Sequence, residues 1–290
     1  MSTRASDRVS FVALLIALAS IFVAIQALRN DGDSNTAELS SISTLDKLVE
    51  EKVLRAGYVV YPPTVVATEE PGEPSGFLVE ISNEIAERAE FEILFEETTF
   101  DDFKAGLLLG KYDLIVAGIF QTTPRATELR FTDPIMYWSG VSAIAAEGRE
   151  GEFTTLSDLN RPEVRVAVTA GTAEHEFVER ELPEATLIPL TNSDISLTLS
   201  EVLAGRSDVA FSDAVTARNF ASTQSGVAPL FGGTQFNSFA TGFVVRMEDE
   251  ELAEFLNTSL EALALDGTIS DLSAKYAGSE VWQLPEEPWQ

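Results

Sequence analysis

The sequence predicts an α/β protein with two lobes and a ligand-binding cleft between them, preceded by one N-terminal apolar helix. Strand and helix patterns alternate from Thr44 onward, which is typical of sheets covered by helices. The alternation restarts after Tyr137, so the chain has two such units of about 100 residues each. A later strand pattern at 239–246 returns to the first unit. The predicted lobes are therefore residues 44–138 plus 239–290 and residues 139–238.

The first 28 residues contain an uncharged run of 20 residues, Val9 to Leu28. As a helix this run would be about 30 Å long, which matches the apolar core of a bilayer. Arg4 and Arg8 precede it, so the positive-inside bias places the N-terminus in the cytoplasm and the body of the chain outside. An uncleaved signal anchor and a signal peptide cleaved after Ala27 both remain open.

Residues 29–43 are polar and small, and they are typical of a flexible tether. The chain carries 47 acidic against 19 basic residues, for a net charge of −28. Such a charge argues against nucleic acid or anionic lipid as partners, and it suits a protein that works in high salt. With no cysteine and one histidine, His175, the chain is expected to hold no disulfide, no metal site and no cofactor.

The apolar periodicities of the first unit predict, in chain order, these elements: helix 45–54, strand 55–60, helix 79–89, strand 91–95, helix 100–109 and buried strand 114–117. The second unit, and the segment from residue 239 that returns to the first unit, predict these further elements: strands 141–145 and 164–168, a helix from 172, strand 186–189, helix 195–204, strand 209–212, a helix from 213, strand 239–246, and helices 250–265 and 268–276.

The stretch from Tyr112 to Tyr137 says most about function. Thr123 and Pro124 predict the N-cap and first residue of a helix that follows a buried strand, and Arg125 comes next. A helix start already offers free N–H groups and a partial positive charge, so a cation gains nothing from the dipole there. The arrangement makes sense if an anion lies between the arginine and the N–H groups. We therefore expect Arg125 to bind a small carboxylate.

Three strand-to-helix junctions carry small or polar residues: Gly118 to Arg125, Ala170 to Thr172, and Ser212-Asp213. Ligands of α/β sheets bind beyond the carboxyl ends of the strands. If the three junctions face one cleft, they present a cation, helix-start N–H groups and an anion. A zwitterion would fit that arrangement.

Short motifs follow one another along the body of the chain: Tyr61-Pro62-Pro63, Gly76-Phe77-Leu78-Val79-Glu80, Gly110-Lys111-Tyr112-Asp113, Thr122-Thr123-Pro124-Arg125, Phe131-Thr132-Asp133-Pro134, Gly205 to Asp213, Asp266-Gly267-Thr268 and Lys275-Tyr276. In this order and spacing they resemble the extracytoplasmic solute-binding proteins of family 3, the amino-acid-binding receptors of ABC importers. The resemblance covers residues 45 to about 279.

That resemblance implies a clam of the periplasmic-binding-protein type II, whose lobes close on a ligand about two crossing strands. It implies that Arg125 clamps the ligand α-carboxylate and that Asp213 takes the α-ammonium. It further implies backbone or hydroxyl contacts and aromatic pocket walls from these residues: Gly118, Thr172, Tyr61 and Phe100.

The chain departs from the family pattern at two places. Phe120 stands where family members usually carry Ser or Thr, so it is predicted either to line the ligand pocket or to pack in the core. Val59-Val60 replaces an acidic residue before the entrance motif. This weakens the case for a basic amino acid, and it leaves room for a ligand that is not an α-amino acid.

Each site residue also has a plainer interpretation. Arg125 could pair with Glu128 along a helix. Asp213 and Thr172 could serve only as helix caps, and the aromatic residues could belong to the core. His175 is expected on a helix surface.

The expected function is extracytoplasmic binding of a small polar solute, foremost an amino acid, by a non-enzymatic monomer that serves the permease subunits of an ABC importer. One alternative is a ligand sensor, which would act through a separate partner because no kinase or signalling region follows. Another is a dehydratase of prephenate-like carboxylates. It would need a general acid, and the sequence does not place Glu69, Glu70 or Glu80 in the cleft.

Overall fold

The computed structural model describes residues 43–70, 72–133 and 137–277. The predicted N-terminal helix, nearly all of the tether and the tail from residue 278 lie outside these residues. Within them, no helix has both the length and the apolar character needed to cross a bilayer.

The strands of the described residues form one connected sheet in the order β2-β1-β3-β10-β5-β8-β6-β7, with β4 beside β10 and β9 beside β5. Their bounds are β1 Val53–Tyr58, β2 Glu92–Glu97, β3 Leu114–Phe120, β4 Leu129–Phe131, β5 Trp138–Ala146, β6 Arg165–Thr169, β7 Thr186–Leu190, β8 Val209–Asp213, β9 Val227–Pro229 and β10 Phe236–Arg246.

The α-helices that cover the sheet are α1 Thr44–Glu51, α2 Phe77–Arg88, α3 Phe103–Leu108, α4 Leu156–Leu159, α5 Ala173–Glu181, α6 Ile195–Leu203, α7 Ala214–Thr223, α8 Glu250–Leu265 and α9 Thr268–Ala277. We call the half that contains β1, β2 and β3 lobe 1, and the half that contains β6, β7 and β8 lobe 2.

Each lobe has a parallel centre. Strand β1 pairs parallel with β2 and β3 in lobe 1, and β6 pairs parallel with β7 and β8 in lobe 2. Parallel strands covered by helices are buried on both faces, and β3 and β8 are buried along their whole length. The carboxyl ends of β3, β6 and β8 are the strand ends that position the site.

Strand β10 joins the two lobes. Its residues from Thr241 onward pair antiparallel with β3 and β4, whereas Phe236 to Ala240 pair antiparallel with β5. The register shifts between Phe236 and Phe239, and Asn237 between them has φ 54°. Strand β5 in turn pairs antiparallel with β8 of lobe 2. The lobes are thus connected by two adjacent strands.

The cores follow the same division. One large apolar cluster fills lobe 1 around Leu54, Ile115 and Phe243. Lobe 2 has a cluster on each face of its sheet, one around Val166 and Phe211 and the other around Ala210 and Leu199. Ile195 and Val215 of lobe 2 join the lobe 1 cluster, so the two lobes are in apolar contact.

The helix predicted after Thr123 is wrong. The chain makes only a three-residue 3-10 turn, Arg125–Thr127, whose N-cap Pro124 has no side-chain hydrogen bond to offer. The chain then extends into β4, which pairs with β10, so strand pairing takes the residues that a longer helix would need. Strands β4 and β9 and helix α4 were not predicted, because three or four residues are too few to show a hydrophobic period.

Candidate functional site

The arginine singled out in the sequence bridges the two lobes. Arg125 lies just beyond β3, and its Nη1 donates to the carbonyl oxygen of Phe120 at 3.1 Å. Its Nη2 donates to the carbonyl oxygen of Gly171 in lobe 2 at 3.0 Å. The alternative pairing with Glu128 is absent, because the Glu128 carboxylate bonds Lys104 instead. Burial lowers the pKa of Arg125, and the charges of Glu174 and Glu176 act in the opposite direction.

Arg125 therefore lies beside a helix start after all, but the helix belongs to the other lobe. Gly171 precedes Thr172, the N-cap of α5, and the N–H of Ala173 begins that helix. The first N–H groups of a helix have no intrahelical acceptor. The combination of a cation and helix-start N–H groups that the sequence analysis expected within one segment is built from lobe 1 and lobe 2 together.

Asp213 ends β8 and caps α7. Its Oδ1 accepts hydrogen bonds from the N–H groups of Val215 at 2.9 Å and Thr216 at 3.2 Å, and from Ser139 Oγ at 3.0 Å. The helix-cap interpretation thus holds for one oxygen. The other oxygen, Oδ2, is buried and accepts no hydrogen bond of normal geometry from the described residues. The Tyr61 hydroxyl also interacts with this carboxylate, so Oδ2 lacks only a donor of normal geometry.

The two aromatic residues predicted as pocket walls lie together in lobe 1. The rings of Tyr61 and Phe100 meet edge to face, with centroids 5.7 Å apart. Both side chains are buried. Burial, and then the charges of Asp213 and Glu174, raise the pKa of Tyr61 well above its usual range. A side-chain hydrogen bond with Asp213 contributes to this rise in pKa, so the Tyr61 hydroxyl lies close to that carboxylate of lobe 2.

Gly118 allows two tyrosines to approach the backbone of β3. A Cβ atom at this position would lie 2.0 Å from Tyr137 Oη and 3.3 Å from Tyr61 Cε1. Burial, and then the charge of Asp213, raise the pKa of Tyr137 well above its usual range. In the sequence, Tyr137 marked only the boundary between the two units, because an isolated tyrosine carries no pattern.

Phe120 stacks on Phe239 of the crossing strand β10, with centroids 4.7 Å apart and rings 17° from parallel. This contact favours the core interpretation of Phe120 over the pocket interpretation. Thr172 also has a structural duty, since its Oγ1 donates to Thr169 O at 2.8 Å and accepts from His175 N at 3.2 Å. His175 itself lies on the partly exposed side of α5, 3.6 Å from Glu179.

One site residue was missed. Glu174 stands in the first turn of α5, and only 4% of it is exposed. Burial and the charge of Asp213 raise its pKa to about 7, while its own backbone N–H, Arg125 and Thr172 act in the opposite direction. An acidic residue in a first helical turn is ordinarily a solvated partner of the helix dipole. The sequence therefore carried no signal that separated Glu174 from Glu176 two residues later.

The remaining acids named in the sequence analysis lie elsewhere. Glu80 accepts hydrogen bonds from Lys275 Nζ, at 2.6 and 2.8 Å, and from the Tyr276 hydroxyl. Glu69 and Glu70 are exposed in the loop before α2. Among the residues that the structure describes, no group of three or more histidine or acidic side chains is placed to hold a metal ion.

The lobes are held together at further points around the site. Val60 N donates to Ser193 O at 2.8 Å, and Ile195 N donates back to Val60 O at 3.1 Å. Thr216 Oγ1 of lobe 2 donates to Pro62 O of lobe 1 at 3.0 Å. The structure is therefore a closed arrangement in which the Glu174 carboxylate interacts with Asp213 of its own lobe and with Arg125 of lobe 1.

Comparison with known proteins places this geometry in context. The family model for bacterial extracellular solute-binding proteins, family 3, matches residues 54–279. The chain is 28% identical over 217 residues to the histidine-binding periplasmic protein of Salmonella typhimurium, covering 73% of this chain and 82% of that one. It is 25% identical over 250 residues to ABC transporter arginine-binding protein 1 of Escherichia coli, covering 83% and 96%.

A solved structure agrees with the fold. The crystal structure of an ancestral amino acid-binding protein, described as a precursor of cyclohexadienyl dehydratase, superposes with a TM-score of 0.74 at 27% identity. The match covers 81% of this chain and 99% of that one. The predicted two-lobed α/β fold of the periplasmic-binding-protein type is thereby confirmed.

Proposed function

The chain belongs to the bacterial extracellular solute-binding proteins of family 3, and from this premise we propose that it binds an amino acid between its lobes and delivers it to an ABC importer. The names of two relatives support the ligand class, since one binds histidine and the other arginine. The second is also named as part of an ABC transporter, which supports the importer role.

The observation that carries this proposal is the buried Oδ2 atom of Asp213, which accepts no hydrogen bond of normal geometry from the described residues, although the Tyr61 hydroxyl interacts with this carboxylate. A buried acceptor without a partner costs about 1–3 kcal/mol. A ligand α-ammonium offers three N–H donors and a charge of the right sign. Asp213 would then keep its cap of α7 through Oδ1 and hold the ligand through Oδ2.

Arg125 supplies the complementary half of the site. A guanidinium has five N–H donors, and the described residues accept two hydrogen bonds from it. The remaining donors, together with the free N–H at the start of α5, suit a carboxylate. Because Arg125 belongs to lobe 1 and α5 to lobe 2, the α-carboxylate would draw the two lobes together.

The other predicted contacts take smaller parts in this proposal. Tyr61 and Phe100 would wall the side-chain pocket from lobe 1. Gly118 and Thr172 would shape the site, Gly118 by admitting Tyr137 and Thr172 by fixing the start of α5. Phe120 would act indirectly, through its stack on the crossing strand.

We place this activity outside the cytoplasm. The periplasmic relative and the family support that location. Residues 1–28 would direct the export, either as a retained membrane anchor or as a signal peptide cleaved after Ala27. Mass spectrometry of the protein recovered from its host separates the two, because only a cleaved protein lacks the first 27 residues.

A panel of amino acids and small carboxylates, tested by calorimetry and thermal unfolding, examines the proposal. A ligand at 100 times its dissociation constant should stabilise the protein by about 2.7 kcal/mol. If no amino acid raises the unfolding temperature or gives a heat of binding, the proposed function is wrong. Uptake that depends on the neighbouring permease and ATPase would separate an importer from a ligand sensor.

A dehydratase remains a second candidate because of one observation. Glu174 is a buried carboxyl in the cleft with a pKa of about 7, a value suited to a general acid at neutral pH. Glu174 thus replaces Glu69, Glu70 and Glu80 as the candidate acid. Absorbance assays with prephenate-like substrates test this function. Turnover that disappears in Glu174→Gln would support it, and no turnover by the wild-type chain would leave binding as the function.

A further inference from the structure

The cleft contains one more carboxylate than a neutral amino acid can satisfy. We propose that Glu174 is a specificity-determining residue that selects an amino acid with a positively charged side chain. This inference rests on the proposed function, because it assumes that the cleft holds an amino acid. It gives a role to a buried charged residue that neither the α-carboxylate site nor the α-ammonium site uses.

The position of Glu174 is the first observation that supports this role. The residue is 4% exposed, and its carboxylate interacts with its own backbone N–H and with Thr172. The charged groups that act on it are Asp213 of the same lobe and Arg125 of lobe 1. The charge of Glu174 also acts on the phenols of Tyr61 and Tyr137 in lobe 1 and raises the pKa of both.

The number of charges in the site also favours a cationic side chain on the ligand. Arg125 contributes one positive charge, whereas Asp213 and Glu174 contribute two negative charges when both are ionised. A zwitterion with a neutral side chain would satisfy Arg125 and Asp213 and leave Glu174 buried without a cation. A buried unpaired carboxylate is costly, so Glu174 would stay protonated with such a ligand. A cationic side chain would instead pair with the ionised form.

The charge of the whole protein acts in the same direction. A net charge of −28 attracts cationic solutes to the surface and repels anionic ones. In the sequence, Val59-Val60 in place of an acidic residue weakened the case for a basic ligand. In the structure, lobe 2 contributes a carboxylate to the cleft by another route, through the first turn of α5.

Protonation of Glu174 gives this inference a distinct signature. Without ligand its pKa is about 7, raised by burial and by Asp213. A cationic ligand would lower that pKa, so its binding is fully favoured above pH 7 and weakens as the pH falls below 7. A neutral ligand would hold Glu174 in the protonated form, so its affinity should not rise between pH 6 and pH 8.

Arginine and citrulline are suitable probes because they have nearly the same shape and differ by one charge. Calorimetry on the purified full chain at pH 6, 7 and 8 should find arginine bound about tenfold more weakly at pH 6 than at pH 8. Citrulline should not show this increase. At pH 8 arginine should bind at least about tenfold more tightly than citrulline, because one buried pair distinguishes them.

Two variants complete the experiment. Glu174→Gln should abolish the pH dependence of arginine binding and reduce the arginine preference at least about tenfold. Glu181→Gln is the matched control, because Glu181 lies on the same helix but is exposed and pairs with Arg180, and it should keep both properties. Thermal unfolding of each variant verifies that it is folded. The comparison of arginine and citrulline binding by the wild type at different pH values tests the inference even if a variant does not fold.

The possible results separate this inference from the proposed function. If neither probe nor any other amino acid binds, the proposed function is wrong and this inference falls with it. If citrulline binds as tightly as arginine at pH 8, the protein is still an amino-acid receptor, but Glu174 does not select a cation. A Glu174→Gln variant that keeps the wild-type preference would overturn the role of Glu174 in the same way.

Discussion

Arg125 of lobe 1 donates through Nη2 to the carbonyl oxygen of Gly171 in lobe 2, at 3.0 Å. Gly171 has φ 75°, and a Cβ atom on it would lie 2.7 Å from the carbonyl oxygen of Phe100. The glycine therefore lets the turn before α5 approach lobe 1 closely enough for the arginine to reach it. This single contact places the cation of one lobe at the helix start of the other.

Replacing Arg125 by alanine should weaken amino-acid binding. The change removes the charge-assisted pair and leaves the ligand carboxylate buried with fewer donors, which should cost at least ~2–3 kcal/mol. That corresponds to a ~30–150-fold loss of affinity, measurable by calorimetry. Arg180→Ala is the control, because Arg180 is exposed on α5 and pairs with Glu181. Equal affinities of the Arg125→Ala variant and the wild type would remove Arg125 from the site.

Replacing Asp213 by asparagine should weaken binding with little loss of stability. The amide oxygen can still cap α7, but the variant offers no charge to the ligand ammonium, so affinity should fall by ~30-fold or more. Calorimetry and thermal unfolding measure the two effects. Ser139→Ala is the control, because it removes a donor to Oδ1 and keeps the charge. A large fall in unfolding temperature without a fall in affinity would make Asp213 a helix cap only.

Replacing Gly118 by alanine should destabilise lobe 1. The new Cβ atom would lie 2.0 Å from Tyr137 Oη, and such overpacking typically costs about 1–3 kcal/mol. The urea dependence of unfolding measures the loss. Removing the hydroxyl in Gly118→Ala/Tyr137→Phe should restore part of it. Gly151→Ala is the control, since no atom lies within 4 Å of a Cβ there. A Gly118→Ala protein as stable as the wild type would contradict the close approach.

Replacing Asp208 by asparagine should destabilise lobe 2 in a pH-dependent way. Burial opposes ionisation of Asp208, but hydrogen bonds from Arg165 and Arg149 outweigh it and lower the pKa to about 2. A pKa below the unfolded value of about 3.9 stabilises the folded protein above pH 4, and that contribution is lost as the pH falls toward 2. The expected loss is about 2 kcal/mol at pH 7.

Urea unfolding of the wild type and Asp208→Asn from pH 7 to pH 2.5 measures this effect. The difference between the two free energies of unfolding should shrink below pH 4. Glu163→Gln is a control of the same charge change, because Glu163 is exposed and pairs weakly with Arg161, at 3.7 Å. A difference that stays constant over this range would show that the Asp208 charge does not stabilise lobe 2.

Much of the fold could be predicted from the sequence because most of its helices and strands depend on patterns among neighbouring residues. The continuous apolar run of β3 and the cap of α7 by Asp213 are properties of a few neighbouring residues. The helix expected at Arg125 was wrong because a cap and a proline are also local, whereas the pairing of β4 with β10 joins residues more than 100 positions apart. Local signals could not anticipate that competition.

The candidate site divides in the same way. Arg125 and Asp213 could be named in advance because a cation and an anion at strand ends are unusual in themselves. Glu174 could not, since acidic residues in a first helical turn are ordinarily exposed, and its 4% exposure becomes visible only in the folded structure. Phe120 could not be assigned either, because its partner Phe239 lies on the crossing strand.

By itself the sequence determined the alternation of strands and helices, the family and the charged residues at the strand ends, because each depends on the order of nearby side chains. The tertiary structure alone decided which lobe provides the helix start beside Arg125, which oxygen of Asp213 lacks a hydrogen-bond donor of normal geometry and how deeply Glu174 is buried. Those properties arise where two distant segments meet and exclude water. The resulting desolvation cannot be predicted from the sequence of either segment alone.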